Sequence, residues 1–331
     1  MKLPSLLGSR IRRLSIAITV GAITATTASA QDFPNRPIKI IVAQAPGSSV
    51  DLLARLIGQK LTEGLGQQTI VENRVGANGI IGLDFAAKSK PDGYTLAMGV
   101  PSALTVNQYI YKDLPYDTLR DFVPITQSTA ITYVMVVNPK LPVETVQELV
   151  AYARARPGQL NYSSAGVGNL MHLSAELFSQ ETGVKMVHIP NKGETPAVLA
   201  AISGQVDVMF TTMPSVVQHI KGGKLRLLAV CGDKRSATFP DVPTTAEAGI
   251  PTVRISGWTG VIAPAGTPAD VASKLQKTIA RGLLAPDVKE NLAAQGAEPL
   301  GSTPEQFTAF IKAEQAKWGK VIKDSGIRLE Q

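Results

Sequence analysis

The sequence predicts an α/β fold in which two domains each carry a mostly parallel sheet flanked by helices. Three observations lead there. Extended apolar runs alternate with amphipathic helical stretches, first before residue 100 and again after residue 133, as in parallel strands joined by right-handed crossovers. The chain of 331 residues exceeds what one hydrophobic core usually supports. Its composition, 44% apolar and 5% aromatic, is ordinary for such a protein.

"PIKIIVA" (37–43) is a near-continuous β-branched run, the pattern of a strand buried on both faces. After "QAPGSS" comes a helix with Leu53, Ile57 and Leu61 on one stripe. "QTIVENR" (68–74) is a second strand, "VGANGIIGLDFAAKSK" a glycine-led turn into a helix, and "DGYTLAMG" (92–99) a third strand. The second round begins with the strand "YVMVVNP" (133–139). A helix in "VETVQELVAYARAR" and a strand ending in "LNYSSAG" follow. In "NLMHLSAELFSQETG" a helix turns Leu170, Leu173, Leu177 and Phe178 inward. "KMVHIP" (185–190), "VDVMF" and "KLRLLAVC" are strands. "ETPAVLAAISGQ" is a helix with Thr195 as N-cap and Pro196 at its first position. "WTGVIAPAGTP" (258–268) reads as a return crossing. The tail is helical, and Thr303, Pro304 and Gln306 form a capping-box start to the last helix. The simplest division gives domain 1 residues 31–136 plus 255–331 and domain 2 residues 137–254. The C-terminal helices pack back on domain 1.

The N-terminus is expected to be removed. Lys2, Arg10, Arg12 and Arg13 precede a short apolar run and Ala28-Ser29-Ala30, the order of a secretory signal cleaved after Ala30. The run is shorter than the roughly 20 residues a bilayer span needs. Arg12-Arg13 matches twin-arginine export only loosely, so ordinary secretion is expected. Those four basic residues supply four of the seven net positive charges, leaving +3 on the mature chain. No basic stripe with interleaved aromatics remains, which argues against nucleic acid. Cys231, the only cysteine, sits in an apolar strand context where a free thiol behaves as a small hydrophobe.

"APGSSVD" (45–51) and "SSAGVGN" (163–169) each follow a strand and open a helix. Open α/β sheets bind ligands at the carboxyl ends of their strands, and helix starts favour negative groups. The two segments are therefore expected to face one anionic ligand across a cleft. A nucleotide phosphate, a catalytic serine's oxyanion and a solute carboxylate all suit that geometry. The glycines of "GVG" lack the following lysine and Ser/Thr of a phosphate-binding loop. Ser163 and Ser164 are not in a G-x-S-x-G setting and no histidine has an obvious partnering context. His172 and Glu176, four apart on a helix, have no second ligand pair for a metal. No cofactor, metal or catalytic residue is expected. Asp207, an acid beside a buried strand, must contact a ligand or tie a loop, and the ligand contact is the reading adopted. Lys192 either pairs with a carboxylate or stands in solvent. Trp258 is expected in the core.

The segments "FPNRPIKIIV…PGSSVDLLAR", "VENRVGANGIIG", "PDGYTLAMG", "NYSSAGVGNLMHLSAELF", "GETPAV…GQVDVMF", "RSATFPDVPTTAEAG" and "WTGVIAPAGTP" together resemble the tripartite tricarboxylate transporter receptors, the Bug family of periplasmic solute-binding proteins. The resemblance covers the whole mature chain. It implies a two-domain type II periplasmic binding protein of the Venus-flytrap kind, a monomer that captures a small carboxylate (a dicarboxylate or an aromatic acid) by domain closure. It also implies delivery to the membrane permease subunits of such a transporter. Carried over by position, it nominates Gly47, Ser48, Ser49 and Asp51 on one side of the ligand. On the other it nominates Ser163, Ser164, Gly166, Gly168, Asn169, His172, Asn191 and Asp207. Two departures touch these loops: Ser48 stands where the family has a second glycine, and Asn191 where it has tyrosine. The rival readings are a sensing subunit for a membrane signalling system and an exported enzyme using the same cleft.

Overall fold

The computed structural model describes residues 33–325; the expected secretion signal and its cleavage after Ala30 lie outside the described residues. The elements run β1 (Ile38–Val42), α1 (Ser49–Leu65), β2 (Thr69–Asn73), α2 (Ile80–Ala87), β3 (Thr95–Gly99), the short α3 (Asn107–Ile110) and α4 (Thr118–Asp121), and β4 (Phe122–Val137). Next come α5 (Val146–Ala155), β5 (Asn161–Ser164), α6 (Leu170–Thr182), β6 (Val187–Pro190), α7 (Glu194–Ser203), β7 (Val208–Thr212), α8 (Met213–Lys221) and β8 (Arg226–Val230). The chain returns through β9 (Ser256–Pro264) and closes with α9 (Ala269–Leu283), α10 (Pro286–Ala294), β10 (Ala297–Pro299) and α11 (Pro304–Ser325).

The strands form one curled mixed sheet in the order β2-β1-β3-β9-β4-β7-β5-β6, with β8 and β10 also paired to β4. The β-loop-α-β units give parallel pairs at β1/β2, β1/β3, β5/β6 and β5/β7. β4 and β9 run against their neighbours, so the sheet is less parallel than the alternation of elements implies. β4 is also far longer than the "YVMVVNP" run. Its first half, from Phe122, is interrupted by register shifts near Pro124 and Gln127, which break the alternation a sequence reading depends on.

The buried apolar side chains form two clusters. One gathers Ile40 and Ile41 of β1, Leu53, Ile57 and Leu61 of α1, Val261 of β9 and Leu275 of α9. The other gathers Val134–Val137 of β4, Leu149 of α5, Phe178 of α6 and Phe210 of β7. β4 serves both, because Ile131 packs in the first and Tyr133 in the second. The last helix does the same: Phe307 and Ile311 join the first cluster, Trp318 and Ile322 the second. The C-terminal helices therefore do not pack on the N-terminal sheet alone.

Helix ends follow local chemistry. Ser48 caps α1 by accepting the Asp51 N–H, and Asn169 caps α6 by accepting the Met171 N–H at 2.7 Å. Thr303 and Gln306 exchange the expected capping-box bonds, at 3.0 and 3.2 Å. The start of α7 differs from expectation. Gly193 is its N-cap and Glu194 its first residue, so Thr195 lies inside the helix and donates its hydroxyl to Pro46 O.

Candidate functional site

The parallel strands point their carboxyl ends at one another, and the loops leaving them line a cavity of about 490 Å³. Ala43–Ala45 arrive from β1, Val75–Gly79 from β2, Ala165–Val167 from β5 and Asn191–Gly193 from β6. This is where open α/β sheets place their ligands. A smaller space of about 50 Å³ shares Gln44 and Ala165 with it and reaches Ser49, Asn169, Glu194 and Trp258.

The structure brings together Gly166, Asn191 and Lys192 as cavity lining, with Gly168 and Asn169 just behind. Gly166 has φ +131°, a conformation side chains with a Cβ rarely adopt. Gly193 is required for a different reason: a Cβ there would stand 2.9 Å from the Cβ of Ala45 on the facing loop. The N–H groups of Ala165 and Val167 meet no acceptor among the described residues. Two unsatisfied donors on a loop that leads into a helix start are suited to an anion.

The first loop is wired differently from the sequence reading. Asp51 is 2% exposed and accepts from the Gly47 N–H at 2.9 Å, from Asn73 at 2.9 Å and from Arg55 at 3.0 and 3.1 Å. Burial pushes its carboxyl up, but Arg55, Gly47 and Asn73 together hold it below the usual range. It organises the loop. Ser48 is occupied as the helix cap, and Ser49 donates its N–H and its hydroxyl to Glu194.

The second loop is braced from beneath. Ser163 donates to Ala197 O at 3.1 Å. Ser164 Oγ lies 2.6 Å from His188 Nε2 and also bonds the backbone of Gly166. His172 accepts the Gly168 N–H on Nδ1 at 3.1 Å, which requires a neutral ring. The rings of His172 and His188 stack with centroids 4.1 Å apart, and Tyr162 stacks on His188 at 4.9 Å. Tyr162 donates to Glu176. Burial lowers the His188 pKa to about 4, with a further push from His172. Burial also lowers that of His172, against the pull of Glu176.

A serine with a histidine partner was not apparent from the sequence. Ser164, however, is 0% exposed, with its hydroxyl committed to the loop it supports. Asp207 is not brought to the cavity. It lies at the opposite end of β5 and β7, where its carboxylate accepts the Asn161 N–H at 2.9 Å. That is the loop-tying alternative. Trp258 is 2% exposed and packs edge-on against Phe307 and Phe310.

The sequence reading passed over Glu194, Asn78 and the Tyr162–His188 pair. An acid in the first turn of a helix reads as an ordinary complement to the helix dipole, and only its burial marks Glu194 out. Tyr162 and His188 meet because β5 and β6 pair them in register, which two separate segments do not disclose.

Comparison with known proteins adds four findings. A sequence model of the tripartite tricarboxylate transporter family receptors matches residues 53–327. Protein BugT of Bordetella pertussis is 40% identical over 318 residues, 96% of this chain and 97% of that protein. Among solved structures, R. palustris Rpa4515 with adipate is 36% identical with a TM-score of 0.88, over 90% of this chain and all of that one. MatC of Rhodopseudomonas palustris with bound malate is 30% identical with a TM-score of 0.83, over 88% of this chain and all of that one.

Proposed function

This chain belongs to the tripartite tricarboxylate transporter receptor family, and from that premise we propose that it is a periplasmic receptor that captures a small organic carboxylate in the 490 Å³ cavity. The observation that carries the reading is the pair of unengaged N–H groups at Ala165 and Val167 on the cavity wall. The solute's carboxylate accepts from them, and Asn191 and Asn78 supply polar side chains nearby. Relatives solved with adipate and malate support the choice of acid.

Capture works by closure of two lobes about β4 and the segment entering β9. The facing loops supply contacts that exist only in the closed form, so a bound solute shifts the population toward it. The closed receptor then presents its solute to the membrane subunits of a tripartite transporter. Secretion with cleavage after Ala30 places it in the periplasm.

A thermal-shift screen of organic acids tests the proposal. An acid at a hundredfold excess over its Kd adds about 2.7 kcal/mol, and each kcal/mol moves the Tm by roughly 2–4 °C at this size. A stabilising carboxylate is the expected result. A panel of mono-, di- and aromatic acids that leaves the Tm unmoved counts against it.

A further inference from the structure

Glu194 is an acid at 6% exposure with no cation among its hydrogen-bond partners. One carboxylate oxygen accepts the Ser49 N–H at 3.2 Å and the Ser49 hydroxyl at 2.8 Å. The other accepts the hydroxyls of Thr211 at 3.1 Å and Thr212 at 2.8 Å. A buried carboxylate without a counter-ion is costly unless donors converge on both oxygens, and here four do. Ser49 opens α1, so a carboxylate carried by α7 is seated on the helix start that faces it across the cleft. Within that loop Asp51 also accepts the Gly47 N–H, and Ser48 caps the helix. Across the cleft, the N–H groups of Ala165 and Val167 meet no acceptor among the described residues.

We propose that Glu194 sets the cleft's specificity as a built-in carboxylate: it fills the anion seat on α1, so the solute brings one carboxylate to the 165–167 loop and turns an uncharged or hydrogen-bond-donating end toward Glu194. The space beside Glu194 shares Gln44 and Ala165 with the main cavity, so a solute that extends past the 165–167 loop approaches this charge. A second carboxylate there faces a like charge in a space of about 50 Å³, where one of the two ions is strongly disfavoured. The inference rests on the solute-binding reading and narrows it to acids with a single carboxylate.

Calorimetric titrations at pH 7.5 with matched pairs (hexanoate and adipate, butyrate and succinate, benzoate and terephthalate) test it. The parent is expected to bind the monoacid of at least one pair tenfold or more tightly than its diacid. Glu194→Gln keeps the side chain's shape and removes its charge, and should bring that ratio within about threefold or reverse it. Glu194→Ala, checked by melting curve for folding, should do the same. A parent that prefers the diacid, or an unchanged ratio in both variants, overturns the role of Glu194 and leaves acid capture standing. If none of the six acids binds parent or variants at millimolar concentration, the carboxylate reading falls first and the assignment of Glu194 with it.

Discussion

At the scale of single residues, the second loop owes its shape to neutral histidines. His172 can accept the Gly168 N–H only while Nδ1 is unprotonated, and His188 is held next to it with a pKa near 4 by burial. Both values lie below those of the unfolded chain, so between pH 6.5 and about 4 the unfolded state binds more protons. Stability is complete above that window and declines as pH falls through it. Melting curves from pH 7.5 to 5 should show a Tm falling by several degrees, and His188→Gln should flatten the slope. A Tm level across that range in the parent contradicts the arrangement. Ser164→Ala leaves His188 Nε2 without its 2.6 Å partner and should cost about 1–3 kcal/mol, seen as a lower Tm without ligand. A variant that melts like the parent yet loses acid binding would return Ser164 to the ligand. Gly166→Val forces a β-branched residue to φ +131°. The nearest atom to a Cβ there is 3.8 Å away, so the damage is backbone strain, and acid affinity should drop at least tenfold while the fold survives.

At the scale of elements, the starts of α1, α6 and α11 are each fixed by a nearby side chain, and the first loop shows how much hangs on one acid. Asp51→Ala strands the Gly47 N–H, Asn73 and Arg55 together. The cost should exceed about 2 kcal/mol, since bonds to charged groups are worth 1.5–3 kcal/mol each. Chemical denaturation should show a lower midpoint with an unchanged slope. A loss below about half a kcal/mol would make Asp51 dispensable to the loop. Such local wiring also explains what was legible in the sequence. The strands β1, β3, β7 and β8, the inward stripe of α1 and the capping box of α11 depend on near neighbours in the chain, and they stand where the residues indicate. The antiparallel course of β4 and β9 depends on distant pairing. So does the meeting of Glu194 with Ser49, which are 145 residues apart, and neither is written in any one segment. Gly47, Ser48, Ser49 and Asp51 illustrate the limit: they lie on the loop between β1 and α1 and in the first turn of α1, as the sequence indicates, but the hydrogen bonds they make are to the protein itself.

At the scale of the whole molecule, the sheet's parallel halves turn their carboxyl ends inward and leave a cavity of about 490 Å³ lined by the loops that follow β1, β2, β5 and β6. Among the described residues no helix is long and apolar enough to cross a membrane, and no group of three or more His, Cys, Asp or Glu side chains is placed to hold a metal. A crystal structure of the complex with the most stabilising acid shows whether the 165–167 loop holds the solute's carboxylate, as proposed. The carboxylate is expected within about 3 Å of the Ala165 and Val167 nitrogens, the distance of an ordinary hydrogen bond. A carboxylate seated elsewhere, or an acid found chemically converted in the cleft, would contradict it.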